Sequence, residues 1–320
     1  QSLSFRVDLN ARENFLETAE RRNSVLRLAR LINYNAKRNR ASVGLLKFDS
    51  ITTTQNIIDS AGNNLANVTV AWNDGTNTNY REQFITILNS LNDSTQKFSK
   101  PLESNTIGGI KTEIYVTRSN NTDLPIFTFG RGIGGIQRQF EIVPATINNA
   151  ESIYEKPPVP GSGFSYVYRT DGFGDGSVNT GFFSLFKQGS LNSQEFAVDQ
   201  PTTNYRRAIS VNNINNDDVW LYQLDDFNQL EKLWTQLPNL YGNNVIYNSL
   251  SQDVRDIYNV ISKTDDQIDL IFGDGNFSNI PNGSFRTYYR TSDNARYTIQ
   301  PADMQGIAFA ISYTDVNGAQ

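Results

Sequence analysis

Residues 268–290 read IDLIFGDGNFSNIPNGSFRTYYR. Ile268, Leu270 and Phe272 alternate with Asp269 and Ile271, the period of a strand. The loop Gly273-Asp274-Gly275 then turns the chain sharply, because glycine enters positive φ at no steric cost and Asp-Gly favours turns. Pro281, Asn282 and Gly283 make a second turn. Beyond it Phe285, Thr287 and Tyr289 alternate with Arg286, Tyr288 and Arg290, a second strand. The pattern predicts a strand–turn–strand pair. Gly273, Asp274, Gly275, Pro281 and Gly283 form its structural turns, and Gly273 or Gly275 takes positive φ.

Outward from this stretch, the chain has 320 residues, enough for two or more domains. Apolar residues make up 38% and charged residues 19%, so the surface is polar but sparsely charged. Phe 19, Tyr 15 and Trp 3 favour sheets, where rings pack well on a pleated surface. Cysteine and histidine are both absent. That excludes disulfides, zinc sites built on thiolate or imidazole, and every nucleophile–base pair that needs His or Cys. No run reaches the ~20 apolar residues of a membrane-spanning helix.

Net charge is −5, unevenly spread. Residues 1–48 hold ten Lys/Arg against four acids, so this segment is at +6 and the remainder at −11. Opposite charges on the two parts predict complementary contact between subunits. Asn10 and Glu13 have the spacing of a helix start. After them Phe15, Leu16, Ala19, Leu26, Ala29 and Ile32 recur near helical spacing, which predicts an amphipathic helix. Phe15, Leu16, Leu26 and Ala29 are expected on one face, and Arg21, Arg22 and Arg27 supply charge. These seven are the candidate assembly contacts. The basic run 37–40 reads as a solvated turn, because no aromatic residues interleave with it as nucleic-acid binding would need.

Strand patterns dominate from there on, interrupted by a helix at 80–91 with Phe84, Ile87, Leu88 and Leu91 on one face. Strands are predicted at 43–51, 68–72, 110–116, 126–129, 137–143, 164–169, 182–188, 195–198 and 205–211; 219–224, 230–237 and 245–250 are short apolar pieces, and 257–262 leads into the strand pair. Residues 212–218 read as a turn cluster. The tract 130–135, GRGIGG, lacks the G-K-[ST] ending of a phosphate loop and reads as a hairpin tip. The proline-rich run 155–163, EKPPVPGSG, is stiff and extended, and is taken as an internal boundary. Four segments result: 1–48 helical and basic, 49–155 β-rich with one helix, 156–260 strand-rich, and 261–320. The fold class is α+β and β-rich, with several β-domains and an amphipathic helical segment near the start.

Paired carboxylates are the catalytic device that remains, as in glycoside hydrolysis. Asp225-Asp226, Asp265-Asp266, and Asp171 with Asp175 are the pairs, near Trp220 or Trp234. All lie in polar, turn-like stretches, whereas a general acid needs a carboxyl raised by burial. The loop 170–181, TDGFGDGSVNTG, lacks the alternating acids and distal Glu of a calcium loop and reads as a long glycine turn. No catalytic, cofactor or metal residue is assigned.

Two stretches carry a resemblance. The loop 268–290, with its strand, FGDG, proline, Gly-Ser and Tyr-Arg order, resembles the baseplate-J-like proteins of contractile phage tails, with which the T4-type baseplate wedge subunit belongs. Residues 13–34, ENFLETAERRNSVLRLARLINY, are similar to the N-terminal helical signature of the same family, with F-L-x-T-A and R-x-S-V followed by an apolar run. The two bracket most of the chain, but residues 120–248 carry no matching motif. The resemblance implies a structural, non-enzymatic virion protein of the tail baseplate, assembled in the bacterial host cytoplasm. It implies an inner ring around a hub, dimer pairs of the chain, other wedge and hub proteins as partners, and a part in starting sheath contraction. It implies no cofactor, nucleic acid, membrane or small-molecule substrate, and further sequence at both ends. The alternative is a carbohydrate-binding or adhesive β-domain of a virion surface protein.

Overall fold

The structure, a computed structural model, describes residues 13, 15, 18–31, 34, 41–52, 69–72, 80–90, 101–117, 124–148, 152–237, 255–276, 278–293, 297–308 and 310. The chain divides into two compact units. A frame unit holds Ser42–Gln188 and Arg296–Gln320. An inserted unit holds Gly189–Ala295 together with Gln1–Ala41.

The frame unit begins with β1 (Val43–Lys47), β2 (Ser50–Thr52) and β3 (Thr69–Ala71). Among the described residues, the inserted unit contributes helix α1 (Arg22–Leu31) and the frame unit helix α2 (Tyr80–Ser90). The frame continues with β4 (Glu103–Ile107), β5 (Ile110–Thr117), β6 (Phe127–Ile133), β7 (Ile136–Ile142), β8 (Ala145–Asn148), β9 (Ser152–Glu155), β10 (Phe164–Thr170) and β11 (Gly181–Gln188). Seven of these strands form one antiparallel sheet in the order β4-β5-β10-β11-β7-β6, with β1 also on β11. Phe183 lies opposite both Lys47 and Val167, and Phe186 opposite both Gly44 and Ile142. Thus β1 runs along one edge of β11, while β10 and then β7 share the other.

Both faces of this sheet are covered, which explains the near-continuous apolar runs of β10 and β11. Phe84 and Leu88 of α2 pack on one face with Phe140, Phe164, Tyr166, Phe182 and Phe186, and the Phe84 and Phe182 rings stack at 4.1 Å. Tyr297, Ile299 and Met304 of the returning segment join them. On the opposite face Ile114, Val167, Phe183 and Leu185 pack with Val143, Ala145, Ile147 and Ile153, at the β8–β9 hairpin. Strand alternation sends Phe182 to one core and Phe183 to the other. Helical spacing buries Phe84, Ile87 and Leu88 as predicted, and Gly134-Gly135 is the tip of the β6–β7 hairpin.

The inserted unit is a mixed seven-stranded sheet of β12 (Ser190–Val198), β13 (Arg206–Ile209), β14 (Ile214–Leu224), β15 (Leu230–Gln236), β16 (Ile257–Ser262), β17 (Ile268–Phe272) and β18 (Gly283–Thr291). The order is β12-β18-β14-β15-β16-β17-β13, antiparallel except for β15–β16. The strands predicted as one pair, β17 and β18, are not paired. Three strands separate them, a gap of roughly 19 Å in a flat sheet at the usual strand spacing. Yet the Phe272 and Phe285 rings lie 6.2 Å apart, and Trp234 of β15 meets each at 5.5 Å. The sheet curls until its inner face closes on itself. The connection 273–282 is too long for a hairpin and carries the buried Ser278 and Pro281, so it crosses the curl instead.

Three further expectations are corrected. The turn predicted at 212–218 is confined to its start. Asn213 takes φ +63, and β14 then begins at Ile214 with a bulge against β18, where Ile214 faces Thr291 and Val219 faces Tyr289. Asn215, Asn216 and Asp218 are buried there, and hydrogen bonds link Asn215 to Asp218 and Ser292, and Asn216 to Ser262. Next, the proline run at 155–163 is not a domain boundary, because β10 after it pairs with β5 before it. The break falls at 188/189, and a cut at 260/261 would run through β16. Finally, the N-terminal helix starts at Arg22. The apolar piece at 245–250 and Leu91 lie outside the described residues.

Candidate functional site

The late start of α1 has a local cause. A helix leaves its first N–H groups without intrahelical partners. Glu13 loops back to the residues just before the helix: the Glu20 N–H donates to Oε1, and the Arg21 N–H to both carboxylate oxygens, each at 3.2 Å. A hydrogen bond from Ser24, together with these N–H groups, holds the Glu13 carboxyl below its ordinary range. The described residues before Arg22, among them Phe15 and 18–21, are not helical. Phe15 therefore sits in a bend, 66% exposed, and shares no helix face with Leu26 and Ala29. Leu26 is half-buried, Ala29 buried and Arg21 exposed. Leu16 and the side chains of Arg22 and Arg27 lie outside the described residues. At its far end the segment exposes Leu31 and Tyr34.

In the FGDG loop, Gly275 takes φ +87 and Gly283 also φ +87. Gly273 does not, and its glycine serves another purpose: a Cβ there would collide with the Ser278 hydroxyl. Asp274 accepts the Asn276 N–H at 3.0 Å, and Arg255 donates to the carbonyls of Gly275 and Asn276 at 3.1 Å each. Gly273 O accepts the Asn204 N–H at 2.9 Å. The loop is a packed joint between β17 and β18, with its polar groups turned onto the chain itself.

The acidic pairs behave alike. Asp225 accepts the N–H groups of Phe227 and Gln229 at 2.9 and 2.8 Å. Asp265 and Asp266 are both left-handed, at φ +56 and +55, in a tight turn before β17. Asp171 accepts the Ser177 hydroxyl, the Phe173 N–H at 3.0 Å and the Thr180 hydroxyl at 3.0 Å. Ser177 first, then the Phe173 N–H, hold its carboxyl down at about 2. Both Asp171 oxygens are thus engaged by the protein, the arrangement of a glycine turn and not of a calcium loop. Among the described residues, no three His, Cys, Asp or Glu side chains are grouped to hold a metal ion.

One cluster escaped sequence reasoning. Glu113 of β5 is buried and accepts Lys111 Nζ at 2.7 Å, the Tyr115 hydroxyl at 2.8 Å and Arg81 at 3.0 Å. The Arg81 guanidinium lies 4.9 Å over the Tyr168 ring. Burial pushes the Glu113 carboxyl up, but the hydrogen bonds from Lys111, Tyr115 and Arg81 outweigh it and hold it below the ordinary value. Burial, then Glu113 itself, push the Tyr115 hydroxyl up. The cluster is a clamp of α2 onto β5. Its signal was the period-2 run Lys111, Glu113, Tyr115, which a strand places on one face.

With this geometry in place, the comparison with known families gives one result. A family model described as Domain of unknown function (DUF8360) matches residues 44–320. The chain belongs to the DUF8360 family. The matched range takes in every strand of both units except for Val43 at the start of β1, and it leaves out α1 and the Glu13 cap. No curated protein matches this DUF8360 member.

Proposed function

We propose that this DUF8360 protein is a structural subunit of a contractile phage tail baseplate, a wedge or inner-ring component without enzymatic activity. The observation that carries this reading is how the carboxylates are used. Asp171, Asp225 and Asp274 each accept backbone N–H groups inside their own turns, and Glu113 is tied by three donors. Acids spent on holding loops serve a rigid building block better than a hydrolase. The basic N-terminal segment adds to this, because Phe15, Arg21, Leu31 and Tyr34 of it are exposed. A glycan-binding role has less support. Trp234 is buried, and the Trp72 ring is covered by Tyr80 at 5.2 Å and by Lys47 at 5.4 Å.

Among the described residues, no helix is long and apolar enough to cross a membrane. The test is mass spectrometry of purified tailed particles followed by a cryo-electron reconstruction. The expected result is several copies of the two β-units around the tail axis near the sheath end. Absence of the chain from such particles, or turnover of a polysaccharide by the free monomer, overturns the proposal.

A further inference from the structure

The loop between β10 and β11 combines two properties that normally exclude each other. It is held by a dense set of hydrogen bonds, and it points its largest apolar groups at solvent. Phe173 is 89% exposed and Val178 81%. Beneath them, Asp171 binds the Phe173 N–H and the Ser177 and Thr180 hydroxyls, and the Asn179 N–H donates to the Ser177 hydroxyl. Two side chains from other elements grip the loop backbone: Trp72 Nε1 donates to Asp175 O at 3.1 Å, and Lys47 Nζ to Ser177 O at 3.0 Å. Single exposed apolar side chains are ordinary. A pair of them on a frame fixed in advance costs little entropy to dock, which is how aromatic anchors of interfaces work.

The charge on the loop selects the partner. Residues 170–181 contain Asp171 and Asp175 and no Lys or Arg, so with Lys47 on the Ser177 carbonyl the loop keeps a net negative charge. An anionic membrane surface would repel them. Residues 1–48 of the same chain are at +6, and within them Arg21, Phe15, Leu31 and Tyr34 are exposed. We propose that the 170–181 loop of one copy docks onto Phe15, Arg21, Leu31 and Tyr34 of the next copy, with Phe173 and Val178 as anchors and Asp175 facing Arg21. The inference rests on the reading of the chain as a self-assembling subunit. A contact between two different surfaces repeats from copy to copy, and it closes into a ring where the rotation allows.

The experiment is sedimentation velocity of the full chain over a range of concentration and salt. Wild type is expected to associate, more weakly at high salt. The double variant Phe173→Ser/Val178→Ser should raise the dissociation constant at least about tenfold, with thermal melting unchanged because both groups are exposed. Asp175→Arg and Arg21→Glu should each weaken association alone, whereas a 1:1 mixture of the two single variants restores it, because each loop then meets a segment of opposite charge. Association that is untouched by the double variant and not restored in the mixture overturns the docking and leaves the assembly proposal standing. A wild-type chain that stays monomeric throughout overturns both. Binding to neutral phosphatidylcholine vesicles that the double variant abolishes, with self-association intact, assigns the loop to lipid and also overturns the docking.

Discussion

The two sheets have the same number of strands and solve the problem of an apolar sheet face in opposite ways. The frame sheet is covered from outside. Helix α2 and the returning segment lie on one face and the β8–β9 hairpin on the other, so its strands are apolar on both sides. The inserted sheet covers itself. It curls until β15, β17 and β18 meet through Trp234, Phe272 and Phe285. The first solution needs a fastener, and the Glu113–Arg81 contact supplies one at 3.0 Å. The second needs rings large enough to span the curl. Covered sheets are thus vulnerable at the polar clamp that holds the cover, and curled sheets at the aromatic centre.

The sharpest way to break this contrast is Phe272→Ala. Phe272 is fully buried, and removing a buried ring costs about 3–5 kcal/mol. Urea denaturation should show two transitions, of which only the one for the inserted unit moves to lower urea. A shift of both by the same amount would mean that the units unfold as one.

The clamp comes second. Glu113→Ala should cost about 2 kcal/mol, below the value for a deeply buried pair, because the partners Arg81 and Lys111 are 39% and 57% exposed and regain water. The pH dependence has a definite sign. The carboxyl is held below its ordinary value in the folded chain, so its stabilisation is complete above that ordinary value. It is lost as pH falls through the lower, folded value. Melting of the frame unit, followed from pH 6 down to pH 3, should fall more steeply for wild type than for Glu113→Gln. Parallel curves would remove Glu113 from the account.

Gly275→Val is the third. At φ +87 a β-branched residue is strained, and its Cβ would stand 3.0 Å from Ile280 Cδ1. The cost should be roughly 1–2 kcal/mol, read as a lower urea midpoint of the inserted unit alone. Unchanged stability would mean that the 273–282 connection takes up another path without loss. The smallest effect is expected from Phe227→Ser. This ring is 84% exposed on a turn that Asp225 already holds, so the midpoint should stay within about 0.5 kcal/mol. A larger loss would show that the turn tip is packed.

Local periodicity made most strands legible. Tyr166 and Val167 alternate between two cores as their pattern requires, and Phe84, Ile87 and Leu88 recur at helical spacing. Pairing was not legible in the same way. Nothing in residues 268–290 says that β17 joins β16 and β13 while β18 joins β12 and β14, because those partners lie up to 101 residues away, as Ser190 opposite Thr291 does. Polarity misled at 212–218, where Asn215, Asn216 and Asp218 look like turn residues in a single sequence. Their burial depends on Ser262 and Ser292, which only the folded bulge brings near. The helix start failed for a related reason: Glu13 has the spacing of a capping box, yet it caps from eight residues away. Among the candidate contacts, exposure separates Phe15 and Arg21 from Ala29, a distinction that apolar spacing alone does not draw.

The register that places Ser190 opposite Thr291 has a mechanical consequence. Besides the joint at 41/42, the chain enters the inserted unit at Gly189 and leaves it beyond Thr291, so these two connections lead to the same end of the β12–β18 ladder. Tension drawn through those two connections would load the ladder rung by rung, beginning with the Ser190–Thr291 pair. Tension applied to opposite ends of the two strands would have to shear nine pairs together, from Ser190–Thr291 to Val198–Gly283. The ladder therefore yields at low force when these two threads are pulled apart, like a zip opened from its tab, and resists when the same strands are drawn lengthwise past each other.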